Sequence, residues 1–128
     1  MKHTSYLSGL FVMLGLLVGS APVSGHHSAA VAYDVNKEIT VQGVITEVKW
    51  ENPHSWIYVD GKDAGGKVVK WRFEGATPNL LYRRGITPAL LKPGVVVTIK
   101  AHPHRTETAG ELTAVVAADG KVLKLELR

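Results

Sequence analysis

The stretch that decides the fold is Val48-Lys-Trp-Glu-Asn-Pro-His-Ser-Trp-Ile-Tyr-Val-Asp60. It predicts the end of one β-strand, a tight turn at Asn52-Pro53 and the beginning of a second strand. His54 follows the turn directly, and a tryptophan lies on each side of it, at Trp50 and Trp56. The rest of the chain is interpreted as the scaffold that presents this corner.

Two alternating segments after the corner predict a β-hairpin, with strands at residues 55–62 and 67–74 and a loop that ends in Gly66. The alternation also predicts the register, because a shift by one residue would turn Trp71 outward. The inner pairs are Ile57 with Phe73 and Val59 with Trp71. The outer pairs are Trp56 with Glu74, Tyr58 with Arg72, and Asp60 with Lys70.

A long first strand is predicted over residues 38–50. Its apolar alternation slips between Val41 and Val44, and Gln42-Gly43 fills the gap, so a β-bulge is expected there. Such a bend allows a small sheet to close into a barrel.

A short helix is predicted to begin at Thr77-Pro78 and to end at Gly85. Another strand covers residues 95–101, and His102-Pro103-His104 opens a polar loop. A last hairpin, over residues 112–127, turns at Asp119-Gly120.

This order of elements is that of the OB-fold, which places a helix between its third and fourth strands. We therefore predict a mainly β chain, a small OB-like barrel of five to six strands with one short helix between strands 3 and 4. In that fold, the first-to-second and fourth-to-fifth loops lie at the same end of the barrel. Here these loops carry His54, and His102 with His104.

Several motifs resemble those of a family of small exported bacterial proteins, the domain of unknown function numbered 6152. They are the His26-His27-Ser28 start, the Gly43-to-His54 segment, Trp71-x-Phe73-Glu74, Leu80-x-x-x-x-Gly85 and Leu91-Lys92-Pro93-Gly94. The corner with its flanking tryptophan is the most specific of them. The resemblance implies a small β-barrel and export, and it implies no activity. His102 and His104 lie outside the family pattern.

The amino terminus is predicted to direct export. Residues 1–25 combine a short basic start, an apolar run from Leu7 to Val18 and a small-residue exit, as a signal peptide does. An uncleaved anchor is the alternative, although the run is shorter than a membrane span requires. The predicted organisation is a signal over residues 1–25, an extended segment over 26–37 and the barrel domain over 38–128, in the periplasm.

The amino-acid composition excludes several classes of protein and of binding site. The chain has 128 residues, which favours one domain, and no cysteine, which excludes a disulfide framework and a thiolate metal site. Its formal net charge of +4 is too small to favour a nucleic-acid partner. No stable membrane span is expected after signal cleavage. The expected partner is a metal ion, a small ligand or another exported protein.

Histidines suggest a divalent metal site. The candidate ligands are His26, His27, His54, His102 and His104. Imidazole without thiolate suits copper(II) or zinc(II). Cleavage after Gly25 would make His26 the first residue, whose amine and ring could chelate together, and cleavage one residue earlier would give Gly25-His26-His27. Both starts favour copper(II). The simpler alternative is a solvated histidine tail, with His54 bonded only to the protein.

The outer face of strands 2 and 3 is the second candidate site. Trp56, Tyr58, Arg72 and Glu74 would form an aromatic and charged surface, where OB-folds bind oligonucleotides and oligosaccharides. A glycan, a peptide or a small ligand fits this chain better than nucleic acid. Alternatively, Trp56 is covered by the amino-terminal segment. Catalysis is not expected, because the chain has no cysteine nucleophile and no Gly-x-Ser-x-Gly elbow.

Overall fold

The computed structural model of the protein describes residues 31–125, and these form a closed β-barrel. The elements in chain order are β1 (Ile39–Lys49), β2 (Trp56–Lys62), β3 (Val68–Glu74), α1 (Pro78–Arg83), β4 (Val96–Pro103), β5 (Ala109–Val116) and β6 (Val122–Lys124). The sheet order is β3-β2-β1-β4-β5-β6, and a parallel pairing of β3 with β5 closes five strands into the barrel. β6 lies outside the closure, on β5. The OB-like fold prediction is confirmed.

The β2–β3 hairpin has the predicted register. Ile57 pairs with Phe73 and Val59 pairs with Trp71, while Trp56, Tyr58 and Asp60 pair with their predicted partners on the outer face. Ile57 and Phe73 are completely buried. The alternation of apolar and polar residues therefore determines the register of this hairpin, because a shift by one residue would exchange its buried and exposed faces.

The bulge of β1 was predicted at the wrong place. β1 pairs regularly with β4 from Ile39 to Val44, and its register against β2 shifts between Ile45 and Glu47 instead. Gly43 therefore faces inward and Val44 faces outward, with 39% of Val44 exposed.

Close approach of the strands explains why glycine occupies the inward position. A Cβ on Gly43 would lie 2.4 Å from the backbone oxygen of Asp60 on β2. The inward-facing glycine allows the antiparallel neighbours β1 and β2 to approach closely at this position. The missing side chain made the sequence pattern look like a slip.

The helix begins and ends as predicted. The side chain of Thr77 accepts a hydrogen bond from the backbone N–H of Leu80, and Pro78 occupies the first turn. Gly85 follows the helix with a positive φ of 80°. Leu81 is fully buried, so α1 covers one part of the core. No helix in residues 31–125 has the length and apolar character to cross a membrane.

The carboxyl-terminal strands depart from the predicted boundaries. β4 continues through His102 and Pro103, which pair with Glu111 and Gly110 of β5, so these residues are strand and not the start of a loop. The loop is correspondingly shorter and begins at His104. β6 has three residues, Val122–Lys124, and Leu127 of the predicted hairpin lies outside the described residues.

Candidate functional site

The corner after β1 is tied to the segment that follows β3. The Asn52-Pro53 peptide bond is cis. After it, the backbone N–H of Ser55 donates to Ala76, and the N–H of Gly75 donates back to the carbonyl of Ser55. These two bonds hold the loop against the end of β3. His54 is consequently held next to Glu74, the last residue of β3.

Glu74 joins two distant parts of the chain. Its Oε1 lies 2.5 Å from Nδ1 of His54, and its Oε2 accepts a hydrogen bond from the Tyr33 hydroxyl at 2.6 Å. The Glu74 side chain is 21% exposed, whereas that of His54 is 54% exposed. A contact this short between a ring nitrogen and a carboxylate oxygen requires a proton between them, so we infer that Nε2 is the nitrogen available to an external ligand.

Tyr33 anchors the segment before β1. It is 4% exposed, and it forms an isolated antiparallel bridge with His104, whose ring it meets edge-on at 5.3 Å between centroids. Burial raises the pKa of Tyr33 well above its ordinary value, and the hydrogen bond to Glu74 raises it further. The hydroxyl is therefore a persistent donor to Glu74.

The residues beside Tyr33 strengthen this anchor. The backbone N–H of Asp34 donates to Pro103 at 2.9 Å, and the N–H of Arg105 donates to Ala32 at 3.0 Å. The Asp34 carboxylate lies 3.1 Å from the ammonium of Lys37, and this bond holds the pKa of Asp34 below its usual value. The segment thus lies along the β4–β5 connection.

His102 and His104 use their rings differently. Nδ1 of His102 lies 2.7 Å from the carbonyl oxygen of Lys37, so it donates, and Nε2 keeps its lone pair. Nδ1 of His104 accepts the backbone N–H groups of Thr106 and Glu107. In a neutral ring, Nε2 of His104 therefore carries the proton and has no lone pair to give a metal.

The outer face of β2 and β3 carries the predicted aromatic and charged residues. The guanidinium of Arg72 lies over the Trp56 ring at 5.2 Å and pairs with Glu107 of the β4–β5 loop at 2.5 Å. The ammonium of Lys49 lies over the Tyr58 ring at 5.3 Å. Trp56 is half-buried. Cations of this chain already occupy a position over each aromatic ring.

Residues 31–125 contain no group of three His, Asp or Glu side chains placed to hold a metal ion. His54 is joined to Glu74, but His54, His102 and His104 do not make a ligand set among themselves. His26 and His27, together with the predicted signal over residues 1–25, lie outside the described residues. The predicted five-histidine site remains a prediction.

Tyr33 is the site residue that the sequence did not reveal. It lies in a segment without clear periodicity, so no pattern predicted its burial. The available signal was that Tyr33 is the single aromatic residue between Ala29 and Lys37. Glu107 and Lys49 were also missed, because their partners are defined only when the strands are assembled.

Fold and rim together define a small closed β-barrel domain with a carboxylate-linked histidine at one end. The chain belongs to the family of unknown function DUF6152, whose model matches residues 14–113. This confirms the family resemblance noted from the motifs. No curated protein matches the chain.

Proposed function

We propose that this protein is an exported binding module, not an enzyme, and that it binds one divalent metal ion, copper(II) in preference to zinc(II). The proposed ligands are Nε2 of His54 together with His26, His27 and the free amine of the mature chain. The observation that carries the proposal is the link from Tyr33 through Glu74 to His54, because it joins the amino-terminal segment to an exposed imidazole.

His54 has the properties of a metal ligand. Its ring is held at Nδ1 by Glu74, Nε2 is available, and about half of the side chain is exposed. Imidazole nitrogen is a common ligand for copper and zinc. A single imidazole binds weakly, so further ligands have to come from elsewhere in the chain.

Chain length permits the remaining ligands to come from the amino terminus. Tyr33 lies six positions after His27. Residues 31–32 are helical, with a rise of about 1.5 Å per residue, and an extended chain covers about 3.3–3.6 Å per residue, so the reach is at most about 17 Å. Tyr33 and His54 both contact the carboxylate of Glu74. His102, whose Nε2 keeps a lone pair, is a possible additional ligand, whereas the hydrogen bonds of His104 disfavour its Nε2.

The test uses untagged protein purified from an exporting host. Intact mass identifies the mature first residue, and calorimetry measures the binding of copper(II) and zinc(II). We expect one copper(II) per chain with a Kd below about 1 μM, and loss of that binding in His54→Ala and after acetylation of the mature amine. Zinc(II) should bind more weakly, as the general order of metal affinities predicts.

His104→Asn is the matched histidine control, since Nδ1 of His104 accepts two backbone N–H groups, its Nε2 has no lone pair for a metal, and the Asn oxygen can still accept those N–H groups. Copper binding that survives His54→Ala would assign the metal to the amino-terminal residues alone. Absence of saturable binding of either metal to the wild-type protein would overturn the proposal.

A metal-free ligand- or partner-binding module is the second candidate. It is favoured by the alignment of Trp56, Tyr58, Arg72 and Glu74 on one outer face. An anionic glycan or an acidic peptide could draw Arg72 from Glu107, which is an exposed pair. Trp56→Ala distinguishes the candidates, because it should abolish such binding and leave copper(II) affinity nearly unchanged.

A further inference from the structure

Closure of the barrel leaves part of β3 without a strand on one side. Within residues 31–125, β2 pairs with β3 from Val68 to Glu74, whereas β5 pairs with it only from Arg72 to Glu74. The N–H of Arg72 donates to the carbonyl of Thr108 at 3.3 Å, so the backbone groups of Arg72 point toward β5. Because the direction of these groups alternates along a strand, those of Val68 and Lys70 point to the same side, away from β2.

No strand and no hydrogen bond of the described chain covers that side of Val68 and Lys70. One N–H and one C=O group from each residue are therefore available to another molecule, and we call Val68 to Lys70 the β3 edge. The side chains beside it are partly apolar. Val68 is 54% exposed, and Trp71 is half-buried although it faces inward and stacks on Phe73, with 5.7 Å between ring centroids. A strand added here would cover apolar surface and satisfy main-chain groups.

We propose that the β3 edge binds an extended acidic segment of another protein, which joins the sheet as an additional strand. An exposed sheet edge recognises extended peptides in this way, because main-chain hydrogen bonds give affinity and alternate side chains give specificity. This surface is separate from the proposed copper site, and every residue that forms it belongs to the described part of the chain.

The charges beside the β3 edge distinguish between possible partners. The Lys70 side chain is 82% exposed, and its ammonium contacts Asp60 at 3.2 Å while it keeps a donor for a second carboxylate. Residues 60–70 carry three lysines and two aspartates, so the surroundings are net positive. A second copy of this chain would bring two Lys70 side chains together, and lysine on an edge strand commonly prevents self-association. An acidic segment instead meets a complementary charge.

The pleat of the sheet predicts the pattern of the bound segment. Side chains of an added strand alternate between the two faces of the sheet. Those on the inner face would pack on Val69 and Trp71, and those on the outer face would lie beside Val68 and Lys70. The expected partner sequence therefore alternates aliphatic residues with aspartate or glutamate.

The first test uses the purified mature protein and an acetylated peptide of about eight residues in which valine alternates with glutamate. We expect saturable binding in an NMR titration, and a valine–lysine peptide of equal length should bind about 3–10-fold more weakly. Two further peptides carry N-methyl groups on all valine nitrogens or on all glutamate nitrogens. Since successive N–H groups of an extended peptide point to opposite edges, one of these peptides should bind and the other should not.

Val68→Pro is the corresponding change in the protein. It removes one N–H group of the β3 edge, and the first residue of an edge strand tolerates proline. We expect the affinity for the valine–glutamate peptide to fall by about 3–10-fold, as the loss of one main-chain hydrogen bond should. Val68→Thr is the matched control, because it keeps both the N–H group and the branched shape, and it should change the affinity by less than about twofold. Melting curves of both variants show whether the barrel is intact.

Hydrogen exchange locates the bound peptide on the protein. In the free protein, the amides of Val68 and Lys70 should exchange faster than those of Val69 and Trp71, which point toward β2. Saturation with the valine–glutamate peptide should slow exchange at Val68 and Lys70 and leave Val69 and Trp71 nearly unchanged.

Selective slowing at Val68 and Lys70, with binding of one N-methylated peptide and not the other, is the result that supports the proposal. Equal binding of both N-methylated peptides would exclude strand addition and overturn it. Absence of saturable binding of the unmethylated valine–glutamate peptide up to about 1 mM would also overturn it. Sedimentation equilibrium without peptide tests the other occupant, because a dimer that is lost in Val68→Pro would assign the β3 edge to a second copy and overturn the choice of an acidic partner.

Discussion

The two ends of the β2–β3 hairpin are stabilised by different kinds of contact. At the turn, Oδ1 of Asp63 accepts hydrogen bonds from the backbone N–H groups of Gly65 and Lys67, so the bonds span two to four residues. At the open end, Glu74 is bonded to Tyr33, which is 41 residues away in the chain. One end depends on local sequence, and the other depends on assembly of the barrel.

The turn of the hairpin has only a structural role, whereas its open end carries the candidate functional site. Local turn bonds form wherever the turn residues occur, and they define a hairpin without defining its surroundings. The bonds of Glu74 exist only when the amino-terminal segment, the corner loop and β3 are all in place. A binding site composed of distant segments is therefore expected at the open end.

The largest effect is expected where β1 pairs closely with β2, near the turn end of the β2–β3 hairpin. Gly43→Ala places a Cβ 2.4 Å from the Asp60 backbone oxygen, and backbone cannot move aside as a flexible side chain can. We expect the free energy of unfolding to fall by about 3 kcal/mol in urea denaturation, the upper part of the range for overpacking.

Gly65→Ala is the matched glycine control, because its added Cβ would meet only the Asp63 carboxylate at 3.4 Å. Its expected change is within about 0.5 kcal/mol. Equal stability of the two variants would show that β1 and β2 do not approach as closely as the structure has them.

Tyr33→Phe is expected to destabilise the open end. It removes a buried hydroxyl that donates to a carboxylate, and hydrogen bonds to charged groups contribute about 1.5–3 kcal/mol. A loss of about 2 kcal/mol in urea denaturation is expected. The turn amides of Gly65 and Lys67 should keep their chemical shifts, and their movement would mean that the two ends are coupled.

Alkaline pH should reduce the contribution of Tyr33. Burial and Glu74 raise the pKa of Tyr33 in the folded state, so its stabilisation is complete below the unfolded pKa of about 10 and is lost as pH rises above it. The stability difference between wild type and Tyr33→Phe should shrink by about 1.4 kcal/mol from pH 8 to pH 11. A constant difference over that range would contradict the assigned environment.

Asp63→Ala should have the smallest effect. The variant removes two hydrogen bonds that are exposed to solvent. We expect the free energy of unfolding to fall by about 1 kcal/mol in total, at the low end of the usual contribution of each bond. Urea denaturation measures this loss, and the signals of His54 and Tyr33 should not move. A change in copper(II) affinity in this variant would contradict the separation of the two ends.

The periodic parts of the fold were predictable from the sequence. Alternation in the β2–β3 hairpin assigned its register residue by residue, and the Thr77-Pro78 start and Gly85 end bounded α1. The prediction failed where periodicity was interrupted. An inward glycine at position 43 looked like a bulge, and the strand pairing of His102 and Pro103 looked like a loop because their residue types favour turns.

The candidate site was only partly predictable. His54 and Glu74 were each recognised as candidates, the first as a metal ligand and the second as part of the outer face, but nothing in the sequence joined them. Their contact depends on the bonds of Ser55 and Gly75 that hold the corner loop against the end of β3. Tyr33 was missed because burial of an isolated aromatic residue is set by what it meets, not by its neighbours in sequence.

The sequence by itself determined the class of fold, the order of its elements, the inner and outer faces of the hairpin and the family. Those properties follow from local propensity and from the period of apolar residues, and both can be read directly from the amino-acid sequence. Only the tertiary structure decided that Tyr33, Glu74 and His54 form one linked group, and that Nε2 of His54 is the nitrogen left for a ligand. Contacts across 20 to 41 residues depend on barrel closure through β3 and β5, and no local pattern encodes them.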